Sequence, residues 1–400
     1  MIEISLAEGA GWSPPCRLTA GQAAAAASVK EVEHRSLASG EWQFQAHRQA
    51  PKVGAVRLGS GEDAVLFRIS PKIPVARLMF MAGYAEQRAS ARWDDAGVPA
   101  REEEGLVAAV ARAFGRAAQR ALRHDVLLGL RDAGDEVAVI RAGGYGKDRP
   151  WQGPPPGVAF PVSYDDFTPD IPENRFLVAA ARELRRLPGL RRDVRSMLDS
   201  VEQRLSGVGD IKPGENWVPS RLNANYYTAL SLAGLVLRGN SYEMDGDTGV
   251  RADGLLISMP HLFQDFTGRA LGSALRQYGG HLRLRQEHHL DDEGIIRAQT
   301  DAEYYAPGAP ASPAAIIDAK YTVLGAKGRS GRVQQMISYC YMLGCPRGYL
   351  VYAQGPESAP VSHTVGGIVI TEYPLSLDHP PKELLTQIDV LAAAIAQKPA

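Results

Sequence analysis

The stretch Ile316-Ile317-Asp318-Ala319-Lys320-Tyr321 sets an acid and a lysine two residues apart inside an otherwise apolar run. On a strand, alternate residues share a face, so Asp318 and Lys320 project together with Ile316. Charges on one face of a strand leaving a core call for a partner or a task. A preceding strand carries Asp301, and the intervening Pro/Ala-rich loop lets Asp301 lie beside Asp318. Two carboxylates offer the hard oxygen ligands that suit Mg²⁺ or Mn²⁺. A divalent ion there would activate a water and steady charge on a phosphate, with Lys320 orienting the water and offsetting the developing charge. On the next helix Gln335 and Tyr339 stand four apart, on one face and within reach of the same point. Lysine is scarce here: Lys320 is one of nine, the other cations being arginines. That scarcity gives its position weight.

Other motifs are weaker. Arg141–Asp148 (RAGGYGKD) has Arg141 where a phosphate loop needs its first glycine and Asp148 where it needs Ser or Thr, and reads as a loop. Gly59–Ala64 (GSGEDA) joins two strands rather than opening a helix, so it reads as a hairpin connection. Glu287-His288-His289 with Asp291-Asp292-Glu293 has the composition of a metal cluster. Adjacent histidines on a strand face opposite sides, so a solvated hairpin tip is the better reading. The arginines Arg182, Arg185, Arg186, Arg191, Arg192 and Arg195 read as a solvated helix face.

The elements that must position Asp318 and Lys320 are legible in the last 140 residues. The pattern predicts a helix over 260–278, strands over 281–290, 295–305 and 314–322, a helix over 332–344, strands over 348–353 and 366–371, and a helix over 382–396. This is a mixed sheet flanked by helices. Upstream, strands are expected over 55–58 and 64–69, a helix over 102–123 opening on Glu102-Glu103-Glu104, and helices over 174–187, 190–205 and 223–238. The Gly/Pro-rich stretch 143–160 is the best boundary between units.

The chain of 400 residues balances 44 Lys+Arg against 45 Asp+Glu. That excludes a uniformly basic nucleic-acid binder, and it equally excludes an acidic disordered tail. Cys16, Cys340 and Cys345 have neither CxxC spacing nor an even count, which argues against a disulfide framework or zinc site and fits a reducing cytoplasm. The N-terminus lacks the pattern of a signal peptide, and no apolar run is long enough to span a bilayer.

Asp301 followed by Asp318-Ala319-Lys320 on consecutive strands after a helix resembles the PD-(D/E)xK nuclease core. With Gln335-Met336-Ile337-Ser338-Tyr339, the set resembles the McrC subunit of the 5-methylcytosine-specific restriction system. Ile69-Ser70-Pro71-Lys72-Ile73, Tyr164–Asp170 (YDDFTPD) with Asn174-Arg175, and Met259-Pro260-His261-Leu262-Phe263 resemble further segments of that family, in order over about residues 65–355. The resemblance implies an α/β fold of two functional parts. Residues 1–150 would be a β-rich domain contacting a McrB-like AAA+ GTPase hexamer and stimulating its GTPase. Residues 151–255 would be a helical connection, and 256–400 a PD-(D/E)xK nuclease core that cuts DNA. It implies Asp301, Asp318, Lys320, Gln335 and Tyr339 as catalytic residues. Gln264 stands where the family has glutamate, and the adjacent Asp265 is then expected to join Asp301 and Asp318 as a metal ligand. Thr300 replaces the proline before the first acid. Two alternatives stay open: a regulatory subunit without nuclease activity, and a nuclease acting without a motor.

Overall fold

A computed structural model of the chain describes all residues except 87–104, 124, 138–159, 240–251, 290, 292, 309–311, 323–328, 354–358 and 398–400. The acidic start of the helix expected over 102–123, the Gly/Pro-rich boundary and the RAGGYGKD stretch lie outside the described residues or almost wholly so.

The chain opens with β1 (Ile2–Ala7), α1 (Ala20–Ala27), β2 (Val32–Ser36), β3 (Trp42–Ala46), β4 (Lys52–Leu58), β5 (Val65–Ser70) and α2 (Val75–Glu86). Then come α3 (Leu106–Ala121), the hairpin β6 (Gly129–Val137) and β7 (Phe160–Thr168), and the helices α4 (Pro172–Arg186), α5 (Arg192–Arg204) and α6 (Tyr227–Gly239). Strand β8 (Ala252–Ser258) leads into α7 (Met259–Leu275), β9 (His281–His289), β10 (Arg297–Tyr305) and β11 (Ala315–Lys320). The chain ends with α8 (Arg329–Met342), β12 (Arg347–Ala353), β13 (Val361–Val365), β14 (Ile368–Leu375) and α9 (Pro381–Ala396). The fold is mixed α/β. Among the described residues no helix is long and apolar enough to cross a membrane.

Two sheets carry the architecture. The first has the order β1-β5-β4-β8, with β1 parallel to β5 and the other pairs antiparallel. The GSGEDA stretch is the connection between β4 and β5, with one short 3₁₀ turn at Gly61–Asp63, as expected of a hairpin rather than a phosphate loop. Strand β8 arrives from nearly two hundred residues away in sequence to pair with β4, a long-range partnership that local patterns do not reveal. Gly54 makes it fit. Its φ is +138°, and a β-carbon there would sit 2.0 Å from the Leu255 carbonyl oxygen.

The second sheet has the order β13-β14-β12-β11-β10-β9. Strands β9, β10 and β11 run antiparallel in succession, and β12 and β14 continue parallel to β11. Helix α8 is the crossover between the parallel strands β11 and β12. Alternate residues of β11 enter different cores. Ala315, Ile317 and Ala319 join the large core that includes α7, α9 and the first sheet. Ile316 joins a smaller core with Leu350, Tyr352 and Ile370, covered by Met336, Tyr339 and Cys340 of α8. The period of two therefore puts Asp318 and Lys320 on the α8 side. Close seating of α8 depends on Gly348, where a β-carbon would lie 2.4 Å from Met336 Cγ.

Most elements fall within a few residues of their expected positions. Strand β13 was not expected; its residues are largely exposed on a sheet edge and lack an apolar alternation. Strands β1, β2, β3, β6, β7 and β8 and helix α2 also lie outside the sequence expectations.

Replacing Gly54 by Ala forces β4 and β8 apart at Leu255. It should destabilise the protein by about 1–3 kcal/mol in urea unfolding. Unchanged stability would show that the β4–β8 pairing does not require this glycine.

Candidate active site

Strand pairing brings the two aspartates together. The β10–β11 ladder sets Ala302 opposite Ile317 and Glu303 opposite Ile316. Continued by one residue, it places Asp301 opposite Asp318. The Asp301 Oδ2 accepts a 2.8 Å hydrogen bond from the Ala319 amide, so Asp301 is fastened to the strand that carries Asp318. Asp318 is buried at 4% exposure. Burial foremost, and then the neighbouring Asp318 carboxylate, push the Asp301 carboxyl up to about 6. The Ala319 amide, Lys320 and Arg285 act in the opposite direction.

Lys320 Nζ donates to Asp318 Oδ1 at 3.1 Å and lies 2.9 Å from Oδ2. The second contact lacks hydrogen-bond geometry, which leaves Oδ2 buried without a hydrogen-bond donor. Lys320 Nζ also donates to Gln335 Oε1 at 3.5 Å, and Gln335 Nε2 donates to the Tyr339 hydroxyl at 2.8 Å. Burial raises the Tyr339 phenol above its ordinary range, opposed by the hydrogen bond from Gln335. Asp318, Lys320, Gln335 and Tyr339 thus form one continuous chain of contacts, and Asp301 faces it across the strands.

Gln264 and Asp265 divide their roles otherwise than expected. Helix α7 turns Gln264 toward the site, where its amide donates to both Asp301 oxygens at 3.4 Å. The Asp265 carboxylate instead forms an ion pair with Arg285 on β9. The structure brings Asp301 and Asp318 together and gives Asp265 a separate partner. Among the described residues no group of three or more His, Cys, Asp and Glu is arranged to hold a metal. Mg²⁺ needs few protein ligands, because it retains several of its waters. Two carboxylates set side by side, offset by the single Lys320 ammonium, offer the hard oxygens that suit a divalent cation.

Arg285 is a feature the sequence did not signal. It is the one non-glycine residue with positive φ among those described, at +52° in mid-strand. The β9–β10 ladder pairs Gln286 with Thr300 and Leu284 with Ala302, and is interrupted at Arg285 and Asp301. On one side of the interruption, Leu282 and Leu284 meet α7 at Gly272 and Gly268. On the other, His288 Nε2 lies 2.5 Å from the fully buried Glu303 carboxylate, which also accepts from Thr300 and Tyr305. The two histidines 288 and 289 therefore do part to opposite faces, but His288 is engaged rather than solvated.

Two sequence motifs turn out to be joints. Lys72 stacks its ammonium 4.2 Å from the Tyr321 ring centroid and lies 3.7 Å from Glu8, whose other oxygen accepts from the Tyr321 hydroxyl at 3.3 Å. This ties the end of β5 to the residue following Lys320. Arg175 bridges Asp170 and Glu215 from a buried position, and buried Asn174 donates to the Leu127 and Pro169 carbonyls. The hydrogen bond from Arg175, together with the Gly209 amide, holds the Asp170 carboxyl down at about 2. Along α4 and α5, Arg182, Arg185, Arg186 and Arg191 pair with Asp210, Asp199, Glu183 and Asp193, in keeping with an ordinary helix face.

The raised Asp301 carboxyl makes a stability prediction. The folded state binds this proton more tightly than the unfolded chain, whose aspartates titrate near about 4. Stability contributed below that value is lost as pH rises toward about 6. In chelator, Asp301→Asn should therefore be more stable than the unaltered protein at pH 8, by roughly 1–3 kcal/mol, and the gain should vanish near pH 4. A variant no more stable at pH 8 would contradict the cost that burial and the Asp318 carboxylate impose on an ionised Asp301.

A family model described as "McrBC 5-methylcytosine restriction system component" matches residues 48–353. Among solved structures, the chain resembles a refined half-complex from a tetradecameric assembly of Thermococcus gammatolerans McrB AAA+ hexamers with bound McrC. The identity is 16%, the match covers 98% of this chain and 100% of the other, and the TM-score is 0.57. A cryo-EM structure of the Thermococcus gammatolerans McrBC complex matches at 19% identity over 68% of this chain and 88% of the other, with a TM-score of 0.43. A search of curated proteins gives no match. The family model spans well over half of the sequence, and the chain belongs to the family of McrBC 5-methylcytosine restriction system components.

Proposed function

We propose that this chain is the McrC-like subunit of a modification-dependent restriction system, a metal-dependent endonuclease that cleaves DNA phosphodiester bonds and stimulates a McrB-like AAA+ GTPase hexamer. The observation that carries the nuclease reading is the cross-strand pair Asp301 and Asp318 with Lys320 beside it. The order α7-β9-β10-β11-α8-β12 supports reading residues 256–400 as a PD-(D/E)xK core. The likeness to a McrC chain bound to McrB hexamers supports the partner, and residues 1–150 are the part assigned to it. A cytoplasmic location follows from a system that acts on intracellular DNA.

Asp301 and Asp318 would hold Mg²⁺ or Mn²⁺. When bound, that ion supplies positive charge against the phosphate and against the attacking water. Lys320 is fixed between Asp318 and Gln335, so its ammonium is aimed rather than free to sweep the surface. It orients a water and stabilises negative charge as it develops on the phosphate. Gln335 fixes Lys320 by accepting from it and fixes Tyr339 by donating to it. The Tyr339 hydroxyl keeps its own proton to donate toward a phosphate oxygen. Gln264 orients Asp301 and adds no charge.

That neutral Gln264 favours one second reading: a subunit that assembles and activates the motor without cutting. A plasmid assay with the partner GTPase, GTP and Mg²⁺ separates the two. The unaltered protein should cut, whereas Asp318→Asn and Lys320→Ala should lower cleavage at least about 100-fold and leave GTPase stimulation intact. Stimulation without cutting by the unaltered protein would establish the regulatory reading. Undiminished cleavage by both variants would place the chemistry elsewhere.

A further inference from the structure

The stability of the fold does not account for Arg285. A left-handed backbone conformation suits glycine or asparagine, and any longer side chain is strained in it. The ion pair that Arg285 makes with Asp265 lies at the surface, its two side chains 56% and 29% exposed. Such pairs contribute little to stability. The strain is thus spent at the register position opposite Asp301, where both strands change face. There the Arg285 guanidinium pairs with Asp265 on α7 and also lies within electrostatic reach of Asp301.

Two further arginines lie near this pair. Asp265 belongs to α7, next to Gln264, whose amide contacts Asp301. Arg269 follows Asp265 by four residues on α7, one helical turn along the same side. Arg238 at the end of α6 is within electrostatic reach of Asp265, Arg269 and Arg285. Arg285 is thus paired with Asp265, with two more arginines nearby, beside a pair of acids that would hold a cation. Carboxylate and phosphate present the same forked acceptor geometry to a guanidinium, so one can replace the other on Arg285.

We infer that Arg285 is a DNA-binding residue of the site, gripping a backbone phosphate beside the scissile one, and that Asp265 occupies its guanidinium until DNA displaces it. The inference rests on the nuclease reading, since it takes DNA as the substrate. It assigns Asp265 to holding an arginine rather than a metal.

The test measures binding, not cleavage, so that it stands apart from the activity assay. The full-length chain and its variants are titrated against a fluorescein-labelled 30-base-pair duplex in EDTA at several salt concentrations. Arg285→Asn suits the left-handed backbone but lacks the charge. It should weaken binding about 5- to 10-fold at low salt and reduce the slope of log affinity against log salt by about one. Arg285→Lys should retain the slope. Asp265→Asn, which releases the guanidinium, should tighten binding about 2- to 5-fold, and the double variant Asp265→Asn/Arg285→Asn should lose that gain. Thermal unfolding of each variant checks that the fold is kept. An Arg285→Asn slope equal to that of the unaltered protein would overturn the inference. So would weaker binding by Asp265→Asn, which is the mark of a purely structural pair, or no duplex binding by the unaltered chain. If these results hold and Asp318→Asn still cuts, the grip stands and only the assigned catalytic centre fails.

Discussion

Two carboxylates are held opposite each other on adjacent strands, Asp318 buried and Asp301 half-buried. Asp301 and Asp318 repel, and the sheet prevents them from separating because the Ala319 amide fastens one strand's acid to the other strand's backbone. Burial first, and this repulsion second, push the Asp301 carboxyl up to about 6. Nearly every other feature of this half of the molecule bears on that pair. Helix α8 supplies Gln335 and Tyr339 above it, helix α7 supplies Gln264 beside it, and the small core beneath α8 keeps β11 and β12 in register.

The N-terminal half is joined to this site through buried chemistry. Tyr321 directly follows Lys320 and is gripped by Glu8 and Lys72, just beyond the ends of β1 and β5. Its ring also packs 5.9 Å from that of Phe263, the residue preceding Gln264. One aromatic side chain thus touches the N-terminal sheet, α7 and the strand of the acid–lysine pair. Whatever the N-terminal region binds, the physical connection to Lys320 is short. Strand β8 reinforces it by placing the segment just before α7 inside the first sheet, where Gly54 admits it.

Legibility in the sequence followed the range of the interaction. Asp318 and Lys320 share a face because of a period of two within six residues, and that was readable directly. Gln335 and Tyr339 share a helix face for an equally local reason. The opposition of Asp301 and Asp318 was readable only as a possibility of the loop between them, since register is a property of two strands. Choosing between Gln264 and Asp265 required the rotation of α7 against the sheet, which no local pattern contains. An aspartate next to a glutamine looked the better ligand, yet the helix turns the glutamine inward and hands the aspartate to Arg285. The positive φ of Arg285 was invisible, because the sequence around it carries neither glycine nor asparagine to mark a break in the strand.

The most direct test of the central claim is a calorimetric titration of the metal-free chain with Mn²⁺ at pH 6, in two buffers of different ionisation heat. If Asp301 and Asp318 form one site, about one ion should bind per chain. Because Asp301 is part protonated at that pH, binding should release a fraction of a proton that disappears at pH 8. Asp318→Asn should abolish the binding. A chain that takes up no Mn²⁺, or that binds it equally well after Asp318→Asn with no proton released, would contradict the account.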